Sequence, residues 1–467
     1  MQHRIGVLIV ASGLVVGQVS AQTVLAVGPH GAHGSIQSAV NAVISGGETE
    51  IRVEAGSYTE NLYVGPGFSS GTLEVTGGWN ATFTDRSGDP SVTVVDGGGA
   101  GTVVTVQISG GSLVFQGFTV TNGFASQGAG ISIIPFGDGA ATITVRNNHI
   151  VGNTVSADAY VDGGGVEAAL DGGESVVIDG NRIADNVVEC TGSTQAAGGA
   201  GINVTVIGSA SFLVANNVIT DNRAIAANAQ KRGVGHFCFA GENGTGEVLD
   251  NVVARNRAEG SPSVTSSGGQ LSITGSGNIV ARRNLWLANI DATGSGAGQL
   301  RTAQSNSSTM VVSDSVIAAS EHDGVFATVS ETSELRLCNL TVADNEGTGL
   351  GIIQFTSSVA SVYNTIAFGN GTDTSFDGTV DTGSNLFGVD PVFVSPSSFD
   401  YRLLVGSPAE DAGDNFPPGG LGPSDAGGQP RIVNGTVDIG AYEGTIEPIF
   451  VDGFESGNTS EWSTTVP

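Results

Sequence analysis

From about residue 145 the sequence returns once every 33 to 36 residues to a phrase of the form Asn-x-Ile/Val-x-x-Asn. It reads Asn148-His149-Ile150 with Asn153, Asn181-Arg182-Ile183 with Asn186, and Asn217-Val218-Ile219 with Asn222. Asn251-Val252-Val253 with Asn256 follows, then Asn284-Leu285-Trp286 with Asn289, where an aromatic takes the apolar slot. Looser copies continue at Ser315-Val316-Ile317 and at Leu340-Thr341-Val342 with Asn345. A fixed period of this length is the mark of a solenoid, in which each repeat buries its apolar face only against its neighbours.

A second phrase alternates with the first, a Gly-rich turn followed by a short alternating strand. Examples are Gly128-Ala129-Gly130-Ile131, Gly163-Gly164-Gly165-Val166 and Gly199-Ala200-Gly201-Ile202, with later copies at Gly268-Gly269-Gln270-Leu271 and Gly347-Thr348-Gly349-Leu350. Another alternating strand, such as Ser175 to Ile178 or Ser211 to Val214, ends just before the Asn. Each repeat therefore holds about three short strands parted by turns. Period-two strands with Gly, Asn and Asp at the corners stack coil on coil at ~4.8 Å, so identical positions superimpose. A stacked Asn passes amide hydrogen bonds along the column and tolerates the left-handed backbone of a tight corner. Leucine-rich repeats also carry an Asn, but they need several leucines per repeat, and here Val, Ile and Gly stand instead. The expected fold is all-β, a single-stranded right-handed parallel β-helix over residues 22–390. Ser35 to Ile44, apolar at Ile36, Ala39, Val40 and Val43, is expected to form an amphipathic helix capping the raw strand edges at its N-terminal end. Short strands are expected at Glu50–Val53, Leu62–Val64, Thr72–Thr76 and Ser91–Val95.

Composition agrees with this and narrows the function. The chain has 467 residues, of which 73 are Gly and 13% are charged. Its net charge of −29 repels nucleic acid and anionic lipid, and it opposes acidic polysaccharides unless a basic patch or divalent cations intervene. Met1 to Ala21 reads as a signal peptide: His3 and Arg4 precede an apolar run from Ile5 to Val16, and Val19 and Ala21 supply the small residues a peptidase reads. That run is too short to span a bilayer, and no later one matches it. The expectation is a secreted or surface-attached monomer without a transmembrane segment. Cys190, Cys238 and Cys338 are too few for a disulfide framework, and they are either buried thiols or include one Cys190–Cys238 bridge.

Several segments resemble known families. Ser35-Ile36-Gln37-Ser38-Ala39-Val40 leading into Ile51 to Glu60 resembles the first coil of pectin-lyase-like β-helix proteins. Gly77-Gly78-Trp79-Asn80 and Val94-Val95-Asp96-Gly97-Gly98 resemble the next coils of bacterial surface β-helix proteins. Asp390-Pro391-Val392-Phe393, Tyr401-Arg402-Leu403, Gly406-Ser407-Pro408-Ala409, Asp411-Ala412-Gly413 and Val437-Asp438-Ile439-Gly440-Ala441-Tyr442-Glu443 resemble the closing region of the "choice-of-anchor Q" family. That resemblance implies an exported β-helix closed by residues 391–444. Residues 445–467, with Phe450, Phe454 and Trp462, are similar to a sorting or attachment tail of Gram-negative exported proteins.

No catalytic motif of the pectin-degrading enzymes transfers. There is no Asp-Asp pair, and Gly235-His236 is followed by Phe237. The candidate binding residues are basic: Arg223 and Arg257, each following a ladder Asn and expected to stack one coil apart, with Lys231, Arg232, His236 and Arg255 between or beside them. Arginine forks can hold a glycan carboxylate, whereas surface pairing with Asp221, Glu242 and Asp250 would leave them as ordinary ion pairs. Arg282 and Arg283 suit either role. Asp373, Asp377 and Asp381 offer oxygen ligands for Ca²⁺ in a Gly/Thr-rich loop, and Asp96 and Asp162 read as turn residues. No cofactor other than Ca²⁺ is expected. The leading expectation is an extracellular or cell-surface protein that binds glycan or other surface components through its lateral face, and the alternative is a polysaccharide lyase or glycoside hydrolase.

Overall fold

The computed structural model describes residues 22–446, apart from 138–139, 193–195, 227–229, 261–263, 297 and 356. The expected signal peptide, and the tail beyond residue 446, lie outside the described residues.

The chain winds as a right-handed parallel β-helix. A single coil shows the pattern. Val166–Gly172 lies in an 11-stranded second sheet, and Ser175–Asp179 and Arg182–Ala184 in a 23-stranded long sheet. Val187–Cys190 then joins a six-stranded third sheet, and Ala197–Gly198 a three-stranded short one. Every pairing between coils in these four sheets is parallel, as in Ser175↔Ser211 and Val166↔Ile202. Parallel strands joined by crossovers wind right-handed.

Alternation sends one residue in two inward, and the inward residues form columns. Val145, Ile178, Val214, Val248, Ala281 and Val312 are register partners, and so are Ile150, Ile183, Ile219, Val253, Trp286 and Ile317. All are fully buried. The large Trp286 fits because its neighbour across the interior is Gly269, where a Cβ would lie 2.7 Å from Trp286 Nε1.

Two asparagine columns hold the corners. Asn148, Asn181, Asn217 and Asn251 each pass Nδ2–H to the Oδ1 of the next asparagine at 2.9–3.1 Å, and Asn284 N–H then ends the column on Ser315 Oγ. Asn153, Asn186, Asn222, Asn256 and Asn289 do the same at 2.9–3.0 Å and finish on Gln299 Oε1. Each Oδ1 also accepts a backbone N–H, and each amide donates to a carbonyl of the coil below. These side chains are saturated.

The helix near the N-terminus is shorter than its apolar spacing suggests, Ile36–Val40. Ser35 Oγ accepts from Ser38 N–H, and the Glu60 carboxylate accepts from the N–H groups of Ile36 and Gln37. Ile36 and Ala39 are buried against the first strands, Val43 still packs against the core beyond the helix, and Ile44 is exposed. Two expected strands are extended, to Glu48–Glu54 and Thr72–Trp79, whereas the one expected at Ser91–Val95 runs Thr93–Asp96, because Pro90–Val92 forms a 3₁₀ turn ahead of it. The three cysteines are free and buried.

The last segment folds back along the flank of the solenoid. Phe393–Ser395 pairs antiparallel with Asp400–Leu404, and Leu403 and Leu404 pair with Thr445 and Ile446. Arg431, 2% exposed, lies 3.2 Å from Asp314 and 3.7 Å from Glu443, and donates to the Gly440 carbonyl. Tyr401 O–H donates to Asp344, and Ala441 N–H to Thr341 Oγ1, which ties the segment to the later coils.

Candidate functional site

The x residue of each Asn-x-Ile phrase points outward beside the first asparagine corner. Thr119, His149, Arg182 and Val218 are register partners on successive coils, and the column continues as Val252, Leu285 and Val316. Its character changes along the axis. Val252, Leu285 and Val316 pack under Phe393, Tyr401, Ala441 and Tyr442 of the closing segment. Over His149 and Arg182 that cover is absent, and the face borders a groove.

Gln116 lines the groove on the other side of the corner, and its register partner Arg146 on the next coil stands outside the lining. The floor of the groove is the corner itself, where Gly117, Asn147, Gly180 and Asn216 all take positive φ, from 53° to 82°. The segment Arg86–Pro90 overhangs one end. Arg86 donates from Nε to the Gly77 carbonyl at 2.8 Å and from Nη2 to the Gln116 carbonyl at 3.3 Å. It crosses directly above Gly117, where any Cβ would collide with Nη2. The cavity has a volume of ≈ 520 Å³ and crosses four coils, a length of roughly 14 Å at the stacking distance of a parallel sheet.

The groove is rich in cations for so acidic a chain. Arg146 lies 3.7 Å from Glu74, and Arg182 lies 3.6 Å from Asp185. Arg146 also donates from Nε to Gln116 Oε1 at 3.1 Å, whereas the Arg182 contact exceeds hydrogen-bond length, so the Arg182 fork keeps donors for a ligand. Burial lowers the His149 pKa, the adjacent Arg182 lowers it further, and Asp89 opposes both. The imidazole is therefore neutral at pH 7 and can accept a proton. Burial also lowers the Arg86 pKa.

The structure does not gather the six basic residues singled out from the sequence into one groove. Arg223 and Arg257 do stack one coil apart, but on the third sheet, where both bind Glu259. Arg255 forms a two-pronged pair with Asp221 at the second asparagine corner. Lys231 is fully buried; burial lowers its pKa, while Asp291 and Cys190 oppose the shift. Arg232 donates to Gln230 Oε1. His236 lies inside the solenoid, accepting from Trp286 Nε1–H at 3.1 Å, and burial pushes its pKa down to about 4. An exported polymer cannot reach it.

Arg283 pairs with Asp250. Asp373 ends a short amide column by accepting from Asn370, while Asp381 accepts from Tyr363 O–H, so the three acids of that loop do not converge. Among the described residues no group of three or more His, Cys, Asp or Glu side chains could hold a metal.

Sequence reasoning missed Arg86, His149 and Arg182 as a group. The signal was present in the x slot of the repeat, which runs His, Arg, Val, Val, Leu, Val. There an outward position turns from charged to apolar along the axis and stays apolar through Val316.

No family model matches the chain, and no curated protein matches it. Among solved structures it is similar to pectate lyase Pel9A, with 13% identity, a TM-score of 0.48, and coverage of 91% of this chain and 96% of the other. It is also similar to the pectin methylesterase from Aspergillus niger, with 16% identity, a TM-score of 0.28, and coverage of 70% and 86%. At these values the β-helix assignment rests on this chain's own strand topology.

Proposed function

We propose that this is an exported β-helix protein of the choice-of-anchor Q type, held at a bacterial surface, which binds an extracellular polysaccharide along its lateral groove. The observation that carries this reading is the open stretch lined by Arg86, Arg182 and His149 in a chain of net charge −29. Four coils match the length of about three sugar units, and the backbone and amide groups of the corner supply further hydrogen bonds. Forked arginines favour a polymer bearing carboxylates or sulfates. The motifs of the closing region and tail support export and attachment. Among the described residues no helix is long and apolar enough to cross a membrane.

The test is glycan-array binding followed by calorimetry on the purified protein, with Arg182→Ala and His149→Ala as variants. Arg182→Ala should weaken binding of an acidic glycan by about tenfold, the cost of one charge-assisted contact. The fold should be unchanged, since Arg182 is half-exposed. Binding that survives both substitutions intact would sink the proposal.

A second reading, a polysaccharide lyase, is favoured by one feature. His149 is a neutral base beside Arg182, and removing a proton next to a uronate carboxylate needs a base and a cation on that carboxylate. An ultraviolet-absorbing unsaturated product from uronate polymers, lost in His149→Ala, would select this reading over simple binding.

A further inference from the structure

A second polar feature lies at the Gly163-Gly164-Gly165 corner, between the short sheet and the second sheet. Asp162 ends the strand Val161–Asp162, and Glu167 is the second residue of Val166–Gly172. Asn203 is the register partner of Glu167 on the next coil, and Ser132 its partner on the coil before. All four are at most 6% exposed. The sequence reading of Asp162 as a turn residue accounts for its position but not for its surroundings.

Two glycines admit the Glu167 side chain. Gly163, at φ +65°, has room for no Cβ, which would stand 2.5 Å from Glu167 Cβ. Gly128, at φ +55°, lies so close to the carboxylate that a Cβ there would be 2.5 Å from Oε2. The carboxylate is therefore seated in a cradle of hydrogen atoms.

The hydrogen bonding in this nook does not close. Asn203 Nδ2–H donates to Asp162 Oδ2 at 2.9 Å, and Ser132 O–H reaches Glu167 Oε2 at 3.4 Å. Asp162 Oδ1 and Asn203 Oδ1 are both buried and have no hydrogen-bond partner. Asp162 and Glu167 hydrogen-bond to each other through a shared proton, which burial favours, and Tyr160 O–H also faces Asp162. The nearby Arg232 donates to Gln230. Unpaired acceptors at this depth are costly, and more so when charged. The shared proton could satisfy only one of them.

A cation that accepts several oxygen ligands satisfies them together. We propose that Asp162, Glu167 and Asn203, with Ser132 at the rim, form a divalent-cation site that takes Ca²⁺. The set is entirely oxygen, from two carboxylates, an amide and a hydroxyl, which suits a hard ion of flexible coordination and not zinc. Its ligands come from three successive coils, so the ion clamps the stack at this corner. The site is independent of the lateral groove.

The test uses Tb³⁺ as a Ca²⁺ probe, because Tyr160 lies beside Asp162 and can sensitise its luminescence. The purified protein should bind one Tb³⁺ well above the weak background of its acidic surface, with a Kd on the order of 10⁻⁵–10⁻³ M, and Ca²⁺ should displace it. Asp162→Asn and Glu167→Gln should each weaken that site by about tenfold or more while leaving the background unchanged. A crystal soaked in Tb³⁺ gives a readout without variants: anomalous density between Asp162 and Glu167 is expected. Tb³⁺ found only on the surface, or a site indifferent to Glu167→Gln, overturns the proposal.

Discussion

One outward column of the long sheet is used in two ways. At His149 and Arg182 it is polar and borders an open groove, whereas at Val252, Leu285 and Val316 it is apolar and lies beneath the closing segment. The backbone is the same in both stretches, and the same asparagine column runs behind them. Under the closing segment the column is joined by Ala254, Leu287 and Ala318, which pack in the same cluster. Where the column side chain is apolar, burying it anchors residues 399–446; where it is charged, the face stays free for a ligand. Val218, 43% exposed, marks the change.

The comparison breaks most severely if a charge is moved into the covered stretch. Val316 is 1% exposed and packs with Ala343, Tyr401 and Ala441. Val316→Asp would bury an unpaired carboxylate, at a cost of about 4 kcal/mol or more. The closing segment should undock and become the first site of proteolysis. Glycan binding at the early coils should persist. If limited proteolysis leaves residues 399–446 intact, the apolar column is not what holds them.

A smaller effect comes from pH, and at the covered end it centres on Glu443. Burial pushes the Glu443 pKa up to about 7, Arg431 opposes the shift, and Asp438 adds to it. In the unfolded chain a Glu titrates near 4.3. The closing region thus binds more protons than its undocked form between these values, and its stability falls as pH rises from about 4.3 through about 7. Thermal melts of the wild type should show this decline, and Glu443→Gln should flatten it. An unchanged slope in the variant would assign the pH dependence to other groups. The asparagine columns carry no ionisable group and should be indifferent throughout.

Much of this architecture was legible in the sequence because stacking repeats itself. Each Asn148-type residue meets its own kind one coil on, so a local pattern reports a long-range contact. Arg223 and Arg257 were placed together for the same reason. What the repeat does not encode is the wrapping of non-repeating segments. Arg86 reaches the groove from the loop ahead of Pro90, and Arg431 reaches Asp314 from more than a hundred residues away. Nor does a one-dimensional pattern separate inward from outward where a corner bends. His236 looked like part of a basic surface cluster, yet alternation from Gly235 turns it inward against Trp286. Asp162 sits where a turn residue belongs, and only the neighbouring coils show that its Oδ1 lacks a partner.

The smallest effect locates the end of the groove. Arg255 is the outermost of the basic residues first picked from the sequence, with a side chain 58% exposed and paired to Asp221 at 2.8 Å. Two parallel bonds hold it, yet both partners face solvent, and such a pair contributes only about 0.2–1 kcal/mol. Arg255→Ala should therefore leave the melting temperature almost unmoved. Its effect on binding is the sharper measurement. If the groove ends at Val218, glycan affinity should be unchanged in this variant while it falls in Arg182→Ala. A loss in both would mean that the ligand passes the boundary, turns the second corner and uses the Asp221–Arg255 pair as well. The division of the column into an open and a covered stretch would then describe where the protein packs, but not where the polymer stops.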